Sequence, residues 1–532
     1  MTTEATESSP LVLPPPPLLR TNSLQSQSSV LETKSASARP LPVPFSSLSA
    51  NASKPKGEGK AEGGRLGTLV YLGYAFGHAQ NDLCAAMYFS YLLVYLEGIG
   101  MSPVDAGLVL IIGQIVDGCA TPLVGVCSDR WRCFRDGCCW GLAGRRKSWH
   151  IGGVLLVTAT FWLLFAPARE GLLGLSPVAH YAAANALFQL GWAAVQVSHM
   201  ALVPEITPRL CERTALNAIR YAVTVATSIA VYLLLLAFQR ASPPWSTGDA
   251  LQTMSGIVTA AGAAMAIAFV ALVREHDDVA TPTAAALAAG DCGPGDAAAG
   301  EGAATPRTLR DWYATPGFFG VVANYALVRL CGNTLQMYLP FYAVANMADR
   351  PTALSTLPLM LYVGMILSSA AAPRTRALVT DALWLSAGAV VLVATGGAAL
   401  LLLADPVRHA GAAFLVAGVF GVGAAQLMVA SQTQVCELVG NDPGGGAVFG
   451  VCSLCDKLST AVVISAIQRG AQVRGTTALG AGEATATATA ALGSFYRVVT
   501  GVGPLACALL ACASLLNVPR SVRDRDGCNA AA

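Results

Sequence analysis

Long apolar segments recur along the chain at regular intervals, and short polar stretches separate them. Each segment holds roughly the 17–25 apolar residues that a helix needs to cross a bilayer. Lipid offers a backbone amide no hydrogen-bond partner, so the segments are predicted to be helices rather than the short alternating strands of a membrane β-barrel. The predicted spans are 67–97, 104–127, 149–167, 176–204, 214–239, 252–273, 317–345, 353–373, 378–403, 410–438, 445–468 and 490–517.

The composition supports a membrane protein. Hydrophobic residues make up 54% of the chain and charged residues only 12%, which is about half the charged fraction of a soluble domain. The mean hydropathy is +0.54. A formal net charge of +2 leaves no electrostatic footprint for nucleic acid, so lipid is the expected surroundings for most of the surface.

The spacing of the spans predicts two six-helix halves, which is the layout of the all-α major facilitator fold with 12 transmembrane helices. A disordered N-terminal tail is expected because its Ser-, Pro-, Lys- and Glu-rich sequence cannot bury enough surface to fold. The predicted parts are a tail at 1–64, a six-helix bundle at 65–273, a flexible linker at 274–316, a second six-helix bundle at 317–518 and a tail at 519–532.

Basic residues in the short loops predict the orientation, because Lys and Arg favour the cytoplasmic side. The richest loop follows the second span and holds Arg130, Arg132, Arg135, Arg145, Arg146 and Lys147. Both termini and the central linker are therefore predicted to be cytoplasmic.

Ionisable side chains inside the first two spans are leading candidates for function, because an unpaired charge in a bilayer is costly. His78 and Asp82 are four residues apart, so they share a helix face and can form a proton-sensitive pair. A structural pair that ties the first span to a neighbour is the alternative. Asp117 lies in the middle of the second span, where we expect it to face a cavity as a proton site or as a structural group.

Three further polar residues are candidates for binding a solute. Gln196 lies in the polar part of the fourth span, which indicates a face toward a cavity or another helix. Arg220 offers five fixed donors to a carboxylate or to hydroxyls, and snorkelling to the cytoplasmic surface is the alternative. Lys457 is predicted to neutralise Asp117 or Asp82 across the cavity, in a bridge that favours one conformational state.

A loop motif follows the second span. Gly125 precedes the adjacent Asp129 and Arg130, and a basic cluster with Arg145 and Arg146 comes next. This order resembles the loop signature of the major facilitator superfamily. The resemblance implies that the Asp and the Arg bridge helices on the cytoplasmic face and help to hold one conformation.

The fifteen Cys are scattered, so thiols are expected rather than the disulfide framework of a small secreted domain. One cluster lies near the membrane surface, and there reversible acylation is favoured over zinc, since the tight C-x-x-C pair common in zinc sites is absent. That cluster is Cys127, Cys133, Cys138 and Cys139. We predict no metal site, no cofactor and no enzymatic activity, because zinc-peptidase, nucleophile-elbow and phosphate-loop motifs are absent from the sequence.

Several short motifs resemble, in order, the family represented by major facilitator superfamily domain-containing protein 12. The likeness covers about residues 65–520 and is strongest in the first half of the chain. The motifs that carry it are Tyr74–His78, Asn81–Ala85, Gly113–Gly118, Thr121–Gly125, Phe188–Trp192, Gln196–His199, Thr214–Tyr221 and Asp456–Lys457. This resemblance implies a lysosomal or pigment-organelle transporter associated with cysteine import into the lumen.

More distantly, the chain is similar to the glycoside–pentoside–hexuronide cation symporters, typified by the melibiose permease. In that group a carboxylate in span one and an arginine in span five contact sugar, and Asp82 and Arg220 stand at the matching positions here. A lysine in span eleven matches Lys457.

The sodium site of that symporter group uses two carboxylates four residues apart in span two and a third in span four. Asp117 matches the first, whereas Thr121 and Gln196 replace the others. The departure puts a sodium site of that design in doubt and favours proton coupling or facilitated movement.

The sequence therefore predicts a secondary transporter that moves a small polar solute by alternating access, with a proton or cation as the coupling ion. Cysteine or a related amino acid, carried into an acidic organelle, is the preferred solute. A sugar:cation symporter is the alternative, and a transport-dead receptor or scaffold is a further one. We expect a monomer in a lysosomal or other organelle membrane, with the plasma membrane as the alternative.

Overall fold

The structure is a computed structural model. It describes residues 66–130, 144–167, 175–207, 209–243, 245–275, 307–379, 381–403, 405–440, 442, 445–480 and 485–523, and it excludes some side chains within these ranges, including those of Asp129 and Arg130. Two short 3-10 segments follow α4 and α15. The other elements are α1 (Thr68–Met87), a π-helical segment (Tyr88–Leu92), α2 (Leu93–Gly98), α3 (Pro103–Arg130), α4 (Arg145–Phe161), α5 (Pro177–Ala201), α6 (Val203–Ile206), α7 (Leu210–Arg240), α8 (Thr247–Leu272), α9 (Leu309–Tyr313), α10 (Phe318–Asn346), α11 (Ala353–Leu378), α12 (Ala382–Leu402), α13 (Ala410–Val439), α14 (Gly445–Gly480), α15 (Thr485–Ser514) and α16 (Arg520–Arg523).

Among the described residues, twelve helical units are long enough to cross a bilayer when α1, the π segment and α2 are counted as one. Each corresponds to one of the twelve predicted spans, so the predicted all-α architecture is confirmed. Within the described residues, nine helices are long and apolar enough to span a membrane. The three units outside that set are the first span, which carries His78 and Asp82, α5, which carries Gln196, and α10.

The predicted N-terminal tail and most of the predicted linker lie outside the described residues. The end of the linker region includes α9, where Thr308 and Asp311 form a capping box and Trp312 is buried. The predicted domain boundaries stay a prediction. Below, the first half means the helices of residues 66–275, and the second half means those of residues 307–523.

The largest apolar core joins the two halves at one end of the bundle. Tyr88 and Leu96 from the first half pack in it with Leu354 and Tyr496 from the second. This end, where α2 ends and α11 begins, is called the closed end. Burial of apolar surface shared by both halves stabilises their contact there.

Hydrogen bonds reinforce the closed end. Gln468 of α14 donates to the carboxylate of Glu97 at 2.6 Å. Ser355 of α11 donates to the side-chain oxygen of Gln239 in α7 at 2.6 Å. Toward the opposite end each half has an apolar cluster of its own, so the shared core is a feature of the closed end.

The first span changes its helical pitch in the middle. The π-helical segment Tyr88–Leu92 lies between two α-helical parts, and π-bulges are frequent at functional sites. Two of its side chains form hydrogen bonds with other helices. Ser90 bonds the hydroxyl of Tyr232 in α7 at 3.0 Å, and Tyr91 donates to the carbonyl of Leu354 in α11 at 3.4 Å. The segment thereby connects the first span to both halves.

Small residues let two helices of the second half approach closely. A Cβ added at Gly421 of α13 would overlap the backbone carbonyl of Leu361 in α11, and one at Gly364 would overlap the carbonyl of Gly418. Close backbone contact between small residues is a common way to pack helices in lipid, where the hydrophobic effect supplies no attraction between them.

Two charged side chains cap each other's helices in the first half. Lys147, at the start of α4, donates its ammonium to the carbonyls of Val270 and Val273 at the end of α8, at 2.9 and 2.6 Å. Glu275, just beyond α8, accepts the backbone amides of Arg146 and Lys147 at 2.7 and 2.8 Å. Each charge has the sign that its helix end favours.

Candidate functional site

A buried ion pair joins the two halves well inside the bundle. The ammonium of Lys457 in α14 lies 2.5 Å from Oδ2 of Asp117 in α3, and Thr121 donates to the other carboxylate oxygen at 3.1 Å. Asp117 is 2% exposed. Gly118 leaves room for the stem of Lys457 beside α3. Of the two partners predicted for Lys457, the structure places Asp117 in contact with it.

His78 and Asp82 are in contact on one face of α1, as their spacing predicted. Nδ1 of His78 lies 3.0 Å from Oδ1 of Asp82, and Thr224 of α7 donates to Oδ2 at 2.9 Å. Both members of the pair are buried. The carboxylate of Asp82 is therefore held between the first and the fifth spans.

Two further imidazoles, those of His199 and His150, lie next to one another near His78, and His150 was not predicted as part of this cluster. The ring centroid of His199 is 5.6 Å from that of His78 and 5.9 Å from that of His150. His150 donates to the carbonyl of Gly77 and His199 to that of Tyr74, each at 2.7 Å. These bonds tie α4 and α5 to α1, which is a packing role for His199.

Arg220 lies in the same half as Asp82, but among the described residues its side chain has no ion-pair partner. Its side chain is partly exposed, and its buried Nε lacks a hydrogen-bond partner among the described residues. Asn217, three residues earlier on α7, is exposed, and so is Tyr221. The accessible part of a guanidinium can bind an anionic or hydroxyl group, whereas the buried Nε cannot reach a solute in this conformation.

Gln196 is engaged within its own helix. Its side-chain oxygen accepts the indole N–H of Trp192 at 2.9 Å, one turn away on α5. The side chain remains partly exposed, so its amide nitrogen is available to a ligand.

The basic cluster of the loop motif pairs with an acid that the sequence analysis did not assign. Arg146 forms an ion pair with Glu205 of α6, and Arg145 lies 3.7 Å from the same carboxylate. Gly125 lies within α3, while the side chains of Asp129 and Arg130 lie outside the described ones. The Pro204-Glu205 sequence at the end of the fourth span was the available signal.

A second buried ion pair lies in the second half, and the sequence did not identify it as a site. Nε of Arg329 in α10 is 3.3 Å from Oδ2 of Asp456 in α14. Asn333 donates to the other oxygen at 3.3 Å. Because Asp456 and Lys457 are adjacent, α14 presents opposite charges to α10 and α3.

Several of these polar groups are deep in the fold yet partly accessible, which indicates an open space beside them. The side chains of Arg329 and Lys457 lie deep among protein atoms, yet 30% and 14% of their surfaces are accessible. Tyr362 of α11 is likewise deep and only partly buried. We call the space that these three residues border the central chamber.

Hydroxyl and amide groups from both halves meet beside the central chamber. Gln336 of α10 donates to Tyr362 at 3.1 Å and approaches the hydroxyl of Tyr232 in α7 at 3.5 Å. The two tyrosine rings have centroids 5.2 Å apart. The sequence marked Gln336 as polar but gave no means to identify its partners.

The described part of the chain contains no group of three or more His, Cys, Asp or Glu side chains arranged to hold a metal ion. Cys127 is described as a free thiol. Cys133, Cys138 and Cys139 lie outside the described residues, so acylation and zinc binding at this cluster stay predictions.

A family model described as MFS/sugar transport protein matches residues 73–517. The chain belongs to the major facilitator superfamily. The match covers all twelve helical units apart from a few residues at the start of the first span. The predicted fold class is thereby confirmed.

Curated relatives place this major facilitator protein more closely. Major facilitator superfamily domain-containing protein 12 of Equus caballus is 32% identical over 428 residues, covering 76% of this chain and 85% of the relative. The Mus musculus protein of the same name is 31% identical over 496 residues, covering 87% and 96%. An uncharacterized symporter of Synechocystis is 32% identical over 179 residues, covering 32% and 31%. The resemblance noted in the sequence is confirmed, including the wider symporter group.

Solved structures share the fold. A bacterial homologue of the human lysosomal transporter Spinster, in an inward-facing and occupied conformation, superposes with a TM-score of 0.59 at 13% identity and covers 84% of this chain and 96% of its own. A D-xylose-proton symporter superposes with a TM-score of 0.56 at 13% identity, covering 85% and 97%. At such identities the likeness concerns the fold alone.

Proposed function

We propose that this major facilitator protein is a secondary active transporter that moves a small polar solute by alternating access. The ion pair between Asp117 and Lys457, which joins the halves inside the bundle, carries the proposal. Such a pair forms in one arrangement of the halves and breaks in another, so a solute or proton that competes for either member shifts the balance between the two states. Membership in a transporter superfamily supports the same function.

Asp117 and His78 are the proposed proton sites. When Lys457 leaves Asp117, the carboxylate stays in a poorly solvated position without its cation, and taking up a proton removes that charge. His78 already contacts Asp82 at 3.0 Å, and a second proton on the imidazole converts this contact into an ion pair. Proton binding and rearrangement of the halves are coupled in this scheme.

Asp82, Gln196, Arg220 and Lys457 are the proposed solute-binding residues. Asp82 suits a cationic or hydroxyl group, and the partly accessible guanidinium of Arg220 suits an anionic or hydroxyl group. One carboxylate and one guanidinium together suit a zwitterion. Cysteine or a related amino acid is therefore the preferred solute, in agreement with what the family resemblance implies.

A sugar is the second candidate solute. The matching family description names sugar transport, and the partly accessible amide of Gln336 and hydroxyl of Tyr362 can bind sugar hydroxyls. Thr121 and Gln196 stand where the related symporters carry carboxylates, so a proton is the proposed coupling ion in this case too. A transport-dead receptor or scaffold is the further alternative, and it gives the ion pair across the halves no role.

We place both termini and the linker in the cytoplasm, as the basic loops indicate. The closed end then faces the lumen or the outside. A lysosomal or other organelle membrane is the proposed location and the plasma membrane the alternative, with the protein acting as a monomer. The loop motif with Gly125, Asp129, Arg130, Arg145 and Arg146 is proposed to hold one conformation at the cytoplasmic face.

Counterflow in proteoliposomes tests the function. Vesicles preloaded with unlabelled cysteine or sugar are offered the labelled compound, and accumulation of label identifies a transported solute. D117N is expected to abolish the response of uptake to an imposed pH gradient, whereas D105N, on the same helix at the closed end, should keep it. Uptake by D117N that still follows the gradient rejects Asp117 as the proton site. Wild-type vesicles that accumulate no solute favour the receptor alternative.

A further inference from the structure

Arg329 is a charged group in the central chamber to which the transport scheme above gives no role. It lies on α10 in the second half, and 30% of its side-chain surface is accessible although the residue is deep in the fold. Tyr325, Asn333 and Gln336, which share its face of α10, are also partly accessible. This polar, accessible face of α10 therefore borders the chamber, since an arginine facing hydrocarbon is strongly unfavourable.

Within the described residues, the guanidinium of Arg329 is bonded through one of its own nitrogens, Nε. Nε lies 3.3 Å from Asp456, and among the described residues Asp456 is its hydrogen-bond partner. Asn333 and Thr460 hold the carboxylate of Asp456 in turn, at 3.3 and 3.5 Å. Arginine carries five N–H donors in a planar fork, so the Nη groups remain available for a second acceptor.

Tyr362 connects this guanidinium to the first half. Its hydroxyl accepts a hydrogen bond from Gln336, two turns along α10 from Arg329, and its ring packs on Tyr232 of α7. Since α7 also holds the carboxylate of Asp82, a carboxylate of the first half and a guanidinium of the second lie on helices that meet at this tyrosine. A solute with a cationic and an anionic group matches this arrangement, because each of its charges meets the opposite charge on a different half.

We propose that Arg329 is the residue with which the second half binds an anionic group of the transported solute, and that Asp456 positions it. The inference rests on the proposed function and names the solute class: a compound with a carboxylate, such as an amino acid, rather than an uncharged sugar. A solute held by Arg329 and Asp82 bridges the halves, as the Asp117–Lys457 pair does. Its binding favours the state in which the halves are close.

If the Arg329–Asp456 pair had only a structural role, the expected effect of substitutions would differ. A buried ion pair that only ties α10 to α14 can be replaced by two neutral residues with little loss, whereas removing one charge leaves the other unpaired. The double variant R329Q/D456N therefore separates the two roles. It avoids the unpaired carboxylate that can prevent R329Q alone from folding.

The experiment measures thermal stabilisation of the purified full-length protein by L-cysteine, L-cysteine methyl ester and D-glucose. Wild-type protein should be stabilised by cysteine and much less by its ester, which lacks the carboxylate. R329K and R329Q/D456N should weaken cysteine binding by about ten- to hundredfold, the equivalent of a charge-assisted hydrogen bond. R350Q is the matched control, since Arg350 is exposed and bonds the carbonyl of Val407 at the closed end.

Asp456 has its own readout as a positioning residue. D456N should raise the Kd for cysteine, and D456E should recover part of the affinity because it restores the acceptor for Nε. Wild-type affinity for cysteine in R329Q/D456N, or equal stabilisation by cysteine and its ester, overturns the proposal. Stabilisation by glucose without any by cysteine overturns it as well. Failure of solute uptake by wild-type vesicles concerns the proposed transport, and the binding result still decides the role of Arg329.

Discussion

Gln468 of α14 donates its side-chain amide to the carboxylate of Glu97 at the end of α2, 2.6 Å away. The same amide nitrogen lies 3.2 Å from the carbonyl of Pro103, at the start of α3. One side chain of the second half therefore binds two elements of the first. Because Gln468 is 1% exposed, water cannot replace these bonds until the halves separate.

Q468A is expected to shift the protein toward opening at the closed end. Spin labels at Ile99 and Asp349, which are exposed and belong to different halves, report the separation by double electron–electron resonance. The variant should show a larger population of long distances, because about 1–3 kcal/mol is lost when a buried polar partner is removed. Q432A is the control, since Gln432 is exposed on α13 toward the opposite end. An unchanged distance distribution in Q468A argues against a role in holding the halves.

The Asp117–Lys457 pair makes a prediction about stability. K457A leaves a carboxylate that is 2% exposed without its cation, which should destabilise the folded protein by roughly 3–5 kcal/mol. The double variant K457A/D117N should recover most of that loss, since no charge is then buried alone. Thermal unfolding of the purified variants measures both effects. Losses that simply add in the double variant contradict a direct interaction between the two side chains.

The reciprocal capping of α4 and α8 makes a third prediction. E275A removes the acceptor of two backbone amides at the start of α4 and is expected to lower the stability by about 0.5–2 kcal/mol. E275Q keeps an acceptor oxygen without the charge, so its loss should be smaller. The unfolding temperatures of the two variants and the wild type measure these losses. An E275A protein as stable as the wild type contradicts a capping role for Glu275.

The close approach of α11 and α13 leads to a fourth prediction, which concerns stability. G421A introduces a Cβ that overlaps the carbonyl of Leu361, and the resulting separation of the helices should destabilise by about 1–3 kcal/mol. Gly411, on the same helix, has no atom within 4 Å of an added Cβ. G411A should therefore be tolerated, and equal stability of the two variants shows that the helices can move apart without loss.

The apolar pattern was sufficient to find the helices but not all their ends. Predicted span 445–468 ends where Gln468 and Arg469 interrupt the apolar run, whereas α14 continues to Gly480. Backbone hydrogen bonds propagate along a helix whatever its side chains are, so hydropathy marks the lipid boundary rather than the helix end. The π segment of the first span left no trace in the pattern, because the largely apolar and aromatic run continues through it without a break.

Charges in the spans identified candidate residues but only some of their partners. The sequence suggested Asp117 or Asp82 for Lys457, since few buried carboxylates were available to a buried cation. Arg329 and Asp456 stayed unmatched because span order along the chain does not say which helix faces lie together. Glu205 was missed as a partner of Arg146 for the same reason. Pairing across helices is tertiary information, and only the packing supplies it.

The π-helical segment has a mechanical consequence for the first span. A π turn accommodates one residue more than an α turn, so converting one into the other rotates everything beyond it by about 100°. Such a rotation would move Glu97, which lies beyond the segment, away from Gln468, and would reorient Tyr91, which lies within it, relative to Leu354. A local change of helix geometry in these five residues would therefore release contacts between the halves at the closed end.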